Sequence, residues 1–347
     1  MPLLRAEWWE AHQPLVVFMW IILLVVPFAI VYGAGDTFET VLECIVNDYL
    51  TFIVLLFGLF CVSGNITVGG DFAGSPRVNA CLLALGTLLS SCIGTTGANM
   101  GGCLTPIGDP PLLMGFMRGV PFFWSMHLLP ILIFNLVILL FVFYHLDKKA
   151  YRKDIAEGRK PDISRPGTEF YIEGLHNIIL LAAFLSFKTT DSSIRTKNHF
   201  TWGAIKEVAV LFIGIFITMQ PALMLLKSVG PNLGISEPYQ MFWATGALSS
   251  FLDNTPTYLV FLTTAGTLGL TGGITTALGQ IPVNLLEAIS CGAVFMGANT
   301  YIGNAPNFMV KSMSDENGVR MPSFFGYMVW SLTCLIPVFI ISSATNP

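Results

Sequence analysis

Apolar runs that approach or exceed the length of a bilayer span recur along the whole chain, with short polar segments between them. A membrane-spanning helix needs about 20 predominantly apolar residues. The clearest runs are Pro14–Tyr32, Tyr49–Val68, Val78–Gly94, Pro121–Tyr144, Ile205–Leu226, Tyr239–Thr264, Pro282–Met296 and Phe324–Ser343. This pattern predicts an all-α polytopic membrane protein with about eight to ten membrane segments, counting interrupted ones.

Two regions within this apolar sequence are interrupted by glycine, asparagine and proline. They are Gly97–Pro111 (GANMGGCLTPIGDPP) and Gly297–Asn307 (GANTYIGNAPN), about 200 residues apart. A second pair of hydroxyl-rich breaks lies just upstream, at Ser90–Ala98 and Ser249–Thr257. Paired interruptions in two halves of a membrane protein indicate a transporter's binding site. We therefore predict two inverted-type repeats with broken helices and re-entrant hairpins.

The repeats are predicted to occupy residues 1–144 and 171–347, with a basic linker at 145–170. Their spacing is unequal. In the second half about 45 residues separate the two breaks, whereas in the first half they are fused, which predicts that roughly 40 residues are absent after Ala98. The run Leu175–Phe187 would form a helix of only about 20 Å, short of a hydrocarbon core of about 30 Å. We interpret it as the remnant of a longer helical pair.

Composition and charge agree with a membrane protein and orient it. Hydrophobic residues make up 54% of the chain and charged residues 11%, too few for the surface of a soluble domain. Seven of the 17 Lys and Arg residues fall between Lys148 and Arg165, so the positive-inside bias places the 145–170 loop in the cytoplasm. The second basic stretch, Lys188–Lys206, is expected on the same side. The cysteines show no metal or disulfide spacing, and no phosphate-binding loop supports ATP-driven pumping.

Two carboxylates lie within the interrupted motifs, Asp109 in Pro-Ile-Gly-Asp-Pro-Pro and Asp253 in Phe-Leu-Asp-Asn-Thr-Pro. An ionised Asp within a bilayer is costly unless it meets a cation, a proton or a polar cavity. The nearby prolines leave carbonyl oxygens unpaired, and such hard oxygen ligands suit a small cation. We predict that Asp109 and Asp253 bind Na⁺. The alternative is that both acids cap helix ends.

Neutral side chains around the two acids are further candidate ligands. They are Thr95, Thr96, Asn99, Thr105, Asn254, Thr255, Asn299, Thr300 and Asn304. The alternative for each is an ordinary hydrogen bond between membrane helices.

Other polar residues receive structural interpretations. Asp36, Glu39, Glu43 and Asp48 lie in a polar connection and are predicted to face solvent. Arg77 and Arg118 are the cations near the motifs and so the candidate partners for a substrate such as citrate. The alternative for both is a position at the membrane interface. Glu207 and Glu287 are predicted to lie at helix ends, and a role in proton relay is the alternative. His127 and His176 are predicted to pack or to cap a helix and not to bind a metal.

Three stretches carry a resemblance to a known family. Thr105–Trp124 (TPIGDPPLLMGFMRGVPFFW), Glu207–Leu223 (EVAVLFIGIFITMQPAL) and Ser249–Phe261 (SSFLDNTPTYLVF) closely resemble a bacterial membrane family named for citrate transport or sodium–proton antiport, within the ion transporter superfamily. More distantly, the two acidic motifs are similar to those of NhaD-type antiporters. Members of the family carry an additional helix after the position of Ala98 and a longer helical pair where Leu175–Phe187 stands. The resemblance implies a multi-pass protein of the bacterial inner membrane.

The leading hypothesis is a secondary active transporter, most similar to sodium/proton antiporters, in which Asp109 and Asp253 bind Na⁺ or H⁺ alternately. It needs no cofactor beyond the coupling ion, Na⁺ and/or H⁺, and is not an enzyme. Its partners are the lipid bilayer and small inorganic ions or an organic anion, without nucleic acid; the oligomeric state is open, a homodimer being one alternative. Coupled citrate or dicarboxylate transport, a passive channel and an intramembrane aspartyl protease are the competing functions.

Overall fold

The structure is a computed structural model. It describes residues 6–65, 67–69, 74–93, 99–158, 171–173, 188–197, 202–304, 307, 310–311, 314 and 320–345. Thr95, Thr96, Ala98, His176 and the run Leu175–Phe187 lie outside the described residues, as do residues 159–170 of the predicted 145–170 linker.

The first half of the described chain is a series of helices. The α-helices are α1 Ala6–Tyr32, α2 Ala34–Glu43, α3 Thr51–Gly64, α4 Pro76–Ile93, α5 Pro110–Met117 and α6 Leu129–Ala156. A π-helix, Cys44–Leu50, joins α2 to α3, and 3₁₀-helices cover Asn99–Leu104 and Phe122–Leu128. Helix α6 continues well past the apolar run that predicts it, into the basic segment that follows Tyr144.

The second half is also helical. Its α-helices are α7 Ser192–Lys197, α8 Gly203–Val229, α9 Pro238–Ser249, α10 Asn254–Thr267, α11 Val283–Met296, α12 Phe324–Cys334 and α13 Ile336–Thr345. 3₁₀-helices cover Gly230–Asn232 and Gly297–Asn299.

Four strands of three residues each accompany the helices. Strand β1, Thr67–Gly69, pairs antiparallel with β2, Tyr171–Glu173. Strands β3, Ile274–Thr276, and β4, Gly279–Ile281, form a small antiparallel hairpin. The backbone N–H of Ala277 in this hairpin donates to the Arg118 carbonyl at 2.7 Å, which ties the hairpin to the end of α5.

Five helical stretches within the described residues are long and apolar enough to cross a membrane. They are Ala11–Tyr32, Ala34–Gly58, Phe122–Ala156, Val208–Asn232 and Phe324–Ala344. Helix α1 exposes large apolar side chains such as Phe18, Leu23 and Ile30, which suit lipid rather than water. The chain is therefore a multi-pass, all-α membrane protein, as its sequence pattern predicts.

Helix α11 lies at the centre of the buried core. Its residues Ile289, Ala293, Val294 and Phe295 are fully buried, and it packs against α9, α10, α5 and the 3₁₀-helix Asn99–Leu104. The apolar run Tyr239–Thr264, by contrast, is not one helix. It divides between α9 and α10 at the Ser-Phe-Leu-Asp step, the break that its sequence predicts.

Glycine allows α9 and α11 to approach closely. A Cβ atom on Gly292 would lie 2.6 Å from the carbonyl oxygen of Phe242, and one on Gly246 would lie 2.0 Å from the Met296 sulfur. A backbone carbonyl cannot move aside as the end of a flexible side chain can. The contact at Gly292 therefore requires the absence of a side chain.

An ion pair within the first half corrects one prediction. Asp48 is buried, with 7% exposure, and its carboxylate accepts from the Arg118 guanidinium at 2.8 and 2.9 Å. The prediction that Asp48 faces solvent is wrong, because the polar connection is helical and its π-turn directs this residue inward. Asp36, Glu39 and Glu43 are exposed, as predicted.

We expect Gly292→Ala to destabilise the protein. The added methyl group would separate α9 from α11 or strain both, at a cost of about 1–3 kcal/mol. Thermal unfolding in detergent measures the effect. Gly58→Ala in α3 is the matched control, because a Cβ there meets no atom within 4 Å. Equal melting temperatures for the two variants would contradict the close packing.

We expect the Asp48–Arg118 pair to behave as one energetic unit. Asp48→Asn and Arg118→Gln each remove a charged hydrogen-bond partner, at a cost of about 1.5–3 kcal/mol. The loss of stability should lie near the lower end of this range, because the Arg118 side chain is 26% exposed and water screens the pair. Denaturation of both single variants and the double variant gives the coupling energy. If the double variant lost as much stability as the two single variants together, the ion pair would contribute nothing to the stability of the fold.

Candidate functional site

Asp109 is the buried carboxylate of the first interrupted motif. It is 1% exposed and precedes α5, whose first positions are Pro110 and Pro111. Proline fits there because the first N–H groups of a helix have no partner within the helix. The Asp109 side chain nevertheless makes no capping hydrogen bond to α5. It is therefore available to groups from elsewhere in the chain.

Amide groups of the second half surround this carboxylate. Asn254 Nδ2 donates to the two Asp109 oxygens at 3.1 and 3.3 Å, and Asn304 Nδ2 donates to Asp109 Oδ1 at 3.4 Å. Asn254 and Asn304 are themselves buried. Among the described residues no Lys or Arg forms an ion pair with Asp109. The negative charge is thus balanced by neutral dipoles alone.

The amide contacts continue beyond the carboxylate. Asn304 Nδ2 also donates to Asn99 Oδ1 at 3.2 Å, and Asn99 Nδ2 donates to Asn307 Oδ1 at 2.7 Å. Asn307 Nδ2 in turn donates to two backbone carbonyls of the Gly297–Thr300 stretch, each at 2.9 Å. We call Asp109, Asn254, Asn304, Asn99 and Asn307 the carboxylate–amide cluster. Asn307 was not among the predicted ligands, although it ends the second quoted motif.

Asp253 occupies a different environment. It is the N-cap residue of α10, and its carboxylate accepts from the Thr255 backbone N–H at 3.0 Å. The capping role stated as an alternative therefore applies to Asp253. Its side chain is half-buried, and its charge interacts electrostatically with that of Asp109. The two acids are neighbours, but only Asp109 lies within the amide groups.

The remaining predicted ligands support the break between α9 and α10. The Thr300 hydroxyl donates to the Ser250 carbonyl and accepts from the Gly303 backbone N–H at 3.1 Å. Asn299 Nδ2 donates to Ser250 Oγ at 2.9 Å, and the Asn254 backbone N–H donates to the Gly303 carbonyl at 3.1 Å. These bonds hold the segment Gly297–Asn304 against the start of α10. Asn299 and Thr300 thus position the cluster and do not contact Asp109 directly.

Corresponding contacts occur in the first half. The Thr105 hydroxyl donates to the Ser91 carbonyl, just as that of Thr300 donates to the Ser250 carbonyl. The Ser91 hydroxyl donates to the Gly101 carbonyl, whereas Ser250 donates to the Met296 carbonyl at 3.2 Å.

Glycines repeat the same correspondence. A Cβ on Gly108 would lie 2.4 Å from the Gly102 carbonyl oxygen, and one on Gly303 would lie 2.6 Å from that of Gly297. The TPIGD and TYIGN segments are therefore held in the same way.

Thr255 and the nearby cations complete the surroundings. The Thr255 hydroxyl donates to Asn254 Oδ1 at 3.4 Å and so orients that amide. Arg77 is exposed at the start of α4, Arg118 is paired with Asp48, and Lys311 lies 5.7 Å from the centre of the Tyr301 ring. The described residues contain no group of three or more His, Cys, Asp or Glu side chains that could hold a metal ion. Any cation bound here would rely on amide, hydroxyl and carbonyl oxygens beside a carboxylate.

Comparison with known families identifies the chain's relatives. A family model with the description "Putative citrate transport" matches residues 1–100, 98–185 and 178–345, nearly the whole chain. The three matches adjoin at residues 98–100 and 178–185, close to the two places where spacing predicts absent segments. A search of the curated proteins found no match.

We expect Asn304→Ala to lower stability by about 1–3 kcal/mol, because the change leaves the buried Asp109 carboxylate and the half-buried Asn99 carbonyl oxygen with one donor fewer. Thermal unfolding in detergent is the measurement. Asn232→Ala makes the same chemical change at an exposed position and serves as the control. If the two variants melt at the same temperature, the cluster does not stabilise the fold.

Proposed function

The chain belongs to the citrate transport family, and from this membership we propose that it is a secondary active, ion-coupled transporter of the sodium/proton antiporter type. Membership in a transport family also favours transport over the protease alternative. The observation that carries the proposal is the buried Asp109 carboxylate, held by amide groups from the other half of the chain. An acid in that position can exchange a proton for a monovalent cation.

The chemistry of asparagine suits such an exchange. Each amide has a donor end and an acceptor end, and Asn254 and Asn304 present their donor ends to Asp109. Rotation of an amide would present its oxygen instead, so that carboxylate and amide oxygens together could bind Na⁺. Cation binding would then favour release of the Asp109 proton. Asp253 would contribute a second negative charge nearby.

The architecture that we propose around this site has two inverted-type repeats with re-entrant hairpins. Its support is the matched pair of hydroxyl-to-carbonyl contacts, Thr105 to Ser91 and Thr300 to Ser250. The ends of broken helices at such a site provide unpaired polar groups at membrane depth. In this proposal the coupling ion binds where the two repeats meet and is exposed alternately on each side of the bacterial inner membrane. The basic 145–170 loop would face the cytoplasm.

Coupled transport of citrate or a dicarboxylate is the second candidate. The family description favours it, and Lys311 beside Tyr301 is a cation close to the Gly297–Asn304 segment. A substrate with several carboxylates needs cationic partners or many N–H donors to replace its hydration. The carboxylate–amide cluster offers donors, but Asp109 already occupies them and would repel an anion. This balance of charge supports cation exchange.

We expect Asp109→Asn to abolish sodium-dependent proton flux in proteoliposomes and Asp253→Asn to reduce it strongly. Asn caps a helix about as well as Asp, so these variants remove charge with little effect on the helix starts. Asp36→Asn at an exposed position of α2 is the control for loss of one carboxylate. Flux is measured with an internal pH dye under gradients of Na⁺, Li⁺, citrate and succinate.

The pattern of losses separates the candidates. Cation flux without citrate, lost in Asp109→Asn, supports antiport. Citrate uptake that is lost in Lys311→Gln would favour the second candidate. Sodium-dependent transport that persists unchanged in both aspartate variants would overturn the proposed mechanism.

A further inference from the structure

A cavity between α6, α9, α11 and α13 contains a carboxylate that the cation site does not use. Glu287 lines it together with Tyr239, Asn284, Cys291, Ser342 and Ser343. Its volume of about 50 Å³ is enough for several water molecules, since one needs roughly 10–15 Å³. Sequence position alone favoured helix-end placement for Glu287. In the structure it is the fifth residue of α11, close to the N-terminal end of that helix, and it is half-buried and faces this cavity.

Buried polar groups continue behind the cavity wall. Asn135 of α6 is fully buried and donates to Ser342 Oγ at 3.0 Å. In the part of the chain that the structure describes, Asn135 Oδ1 has no hydrogen-bond donor. A buried carbonyl oxygen in this state is satisfied by water or a cation. The cavity therefore combines a mainly apolar wall with a few polar side chains that water or a small cation could satisfy.

The groups around Glu287 suit a proton or a monovalent cation. His127 is the nearby basic side chain, and its Nδ1 is engaged with the Trp124 carbonyl at 2.7 Å. The other titratable side chains at the cavity are Tyr239 and Cys291, and α6 and α13 contribute Ile131 and the two serines. The described residues that line the cavity include no Lys or Arg. An anion would find no fixed positive charge among these lining groups.

Glu287 also connects to the carboxylate–amide cluster. Cys291 lies four residues, or just over one turn, further along α11, about 6 Å along the axis. Cys291 and Cys103 are both buried. The 3₁₀-helix Asn99–Leu104, which carries Cys103, packs directly on α11. Helix α11 therefore links the cavity to a segment that contributes Asn99 to the carboxylate–amide cluster.

We propose that Glu287 and its cavity form a loading site, where the coupling proton or monovalent cation binds before it reaches Asp109. The proposal rests on the proposed function, because a loading site has a purpose only if Asp109 exchanges a cation. It assigns Glu287 a role in the rate of exchange, and Asp109 remains the exchange site. The site takes a small cation and excludes organic anions.

The first test is chemical and does not require flux. Dicyclohexylcarbodiimide modifies protonated carboxyl groups in apolar surroundings, and mass spectrometry of the purified full chain measures the adduct at Glu287. We expect labelling in the wild type and in Asp109→Asn, with Na⁺ or Li⁺ slowing it if the bound species is a metal cation. Because Asp109→Asn lacks the exchange acid, protection there would show cation binding at Glu287 even if the transport proposal fails.

The second test separates loading from binding. We expect Glu287→Gln to slow sodium-driven proton flux about tenfold or more while retaining the ²²Na⁺ binding in detergent that depends on Asp109. Asp109→Asn should lose that component, and any Na⁺ that it still binds is assigned to Glu287. Glu157→Gln removes an exposed carboxylate at the end of α6 and is the matched control.

Each combination of results has a defined meaning. Slower flux with cation protection indicates a metal-cation site, and slower flux without protection indicates a proton site. Flux equal to that of Glu157→Gln would overturn the loading site, with or without protected labelling and whatever the result for Asp109.

Discussion

A carboxylate buried without a cationic partner is the constraint on which the rest of the structure depends. Burial of an ionised group costs several kcal/mol unless hydrogen bonds or an opposite charge replace its hydration. Asp109 is 1% exposed, and the described residues provide it with amide donors but no ion pair. Such an environment is sufficient to place a carboxylate inside the protein and insufficient to neutralise it. That balance is the basis for proposing Asp109 as the site of cation or proton exchange.

The donors must come from the other half of the chain, which explains the close packing around them. Asn254 is the first residue of α10, and its backbone N–H donates to the Gly303 carbonyl. Its backbone is thus fixed by the second half while its side-chain amide donates to Asp109. The glycine contacts at Gly108 and Gly303 bring each motif against its own preceding turn without a side chain between. Small residues at such positions let membrane helices approach closely enough for polar contacts. The cluster is therefore a product of backbone packing as much as of side-chain chemistry.

Sequence patterns were sufficient for the membrane class and for the two motifs that meet at Asp109. Asn99, Asn254 and Asn304 were recognised as candidates because polar residues in apolar sequence are costly, and all three belong to the cluster. The same reasoning did not separate Asp109 from Asp253, since both precede a helix and only contacts with a distant segment distinguish them. Spacing along the chain could not place them relative to each other.

The burial of Asp48 was missed for a related reason. A run of acids with polar neighbours predicts a solvated connection, and most of that run is indeed exposed. Only the π-helical turn and the distant partner Arg118 make Asp48 an interior residue. Glu287 is a comparable case, because its cavity is built from four helices that are not adjacent in sequence. Long-range partners decide the role of an acid, and local sequence does not contain them.

The unequal spacing of the two halves shows which part of this architecture the site needs. Thr105 reaches Ser91 across 14 residues, whereas Thr300 reaches Ser250 across 50, which include α10, the β3–β4 hairpin and α11. The hydroxyl-to-carbonyl contact is nevertheless the same in both. In the first half, the six-residue 3₁₀-helix Asn99–Leu104 packs against α4. In the second half, the fourteen-residue helix α11 packs against α9 in the corresponding place. The contact between a broken helix and its following motif is therefore local, and it forms with or without an intervening helix. What the longer spacer adds in the second half is α10, which brings Asn254 to Asp109, so one half supplies the acid and the other supplies the groups that hold it.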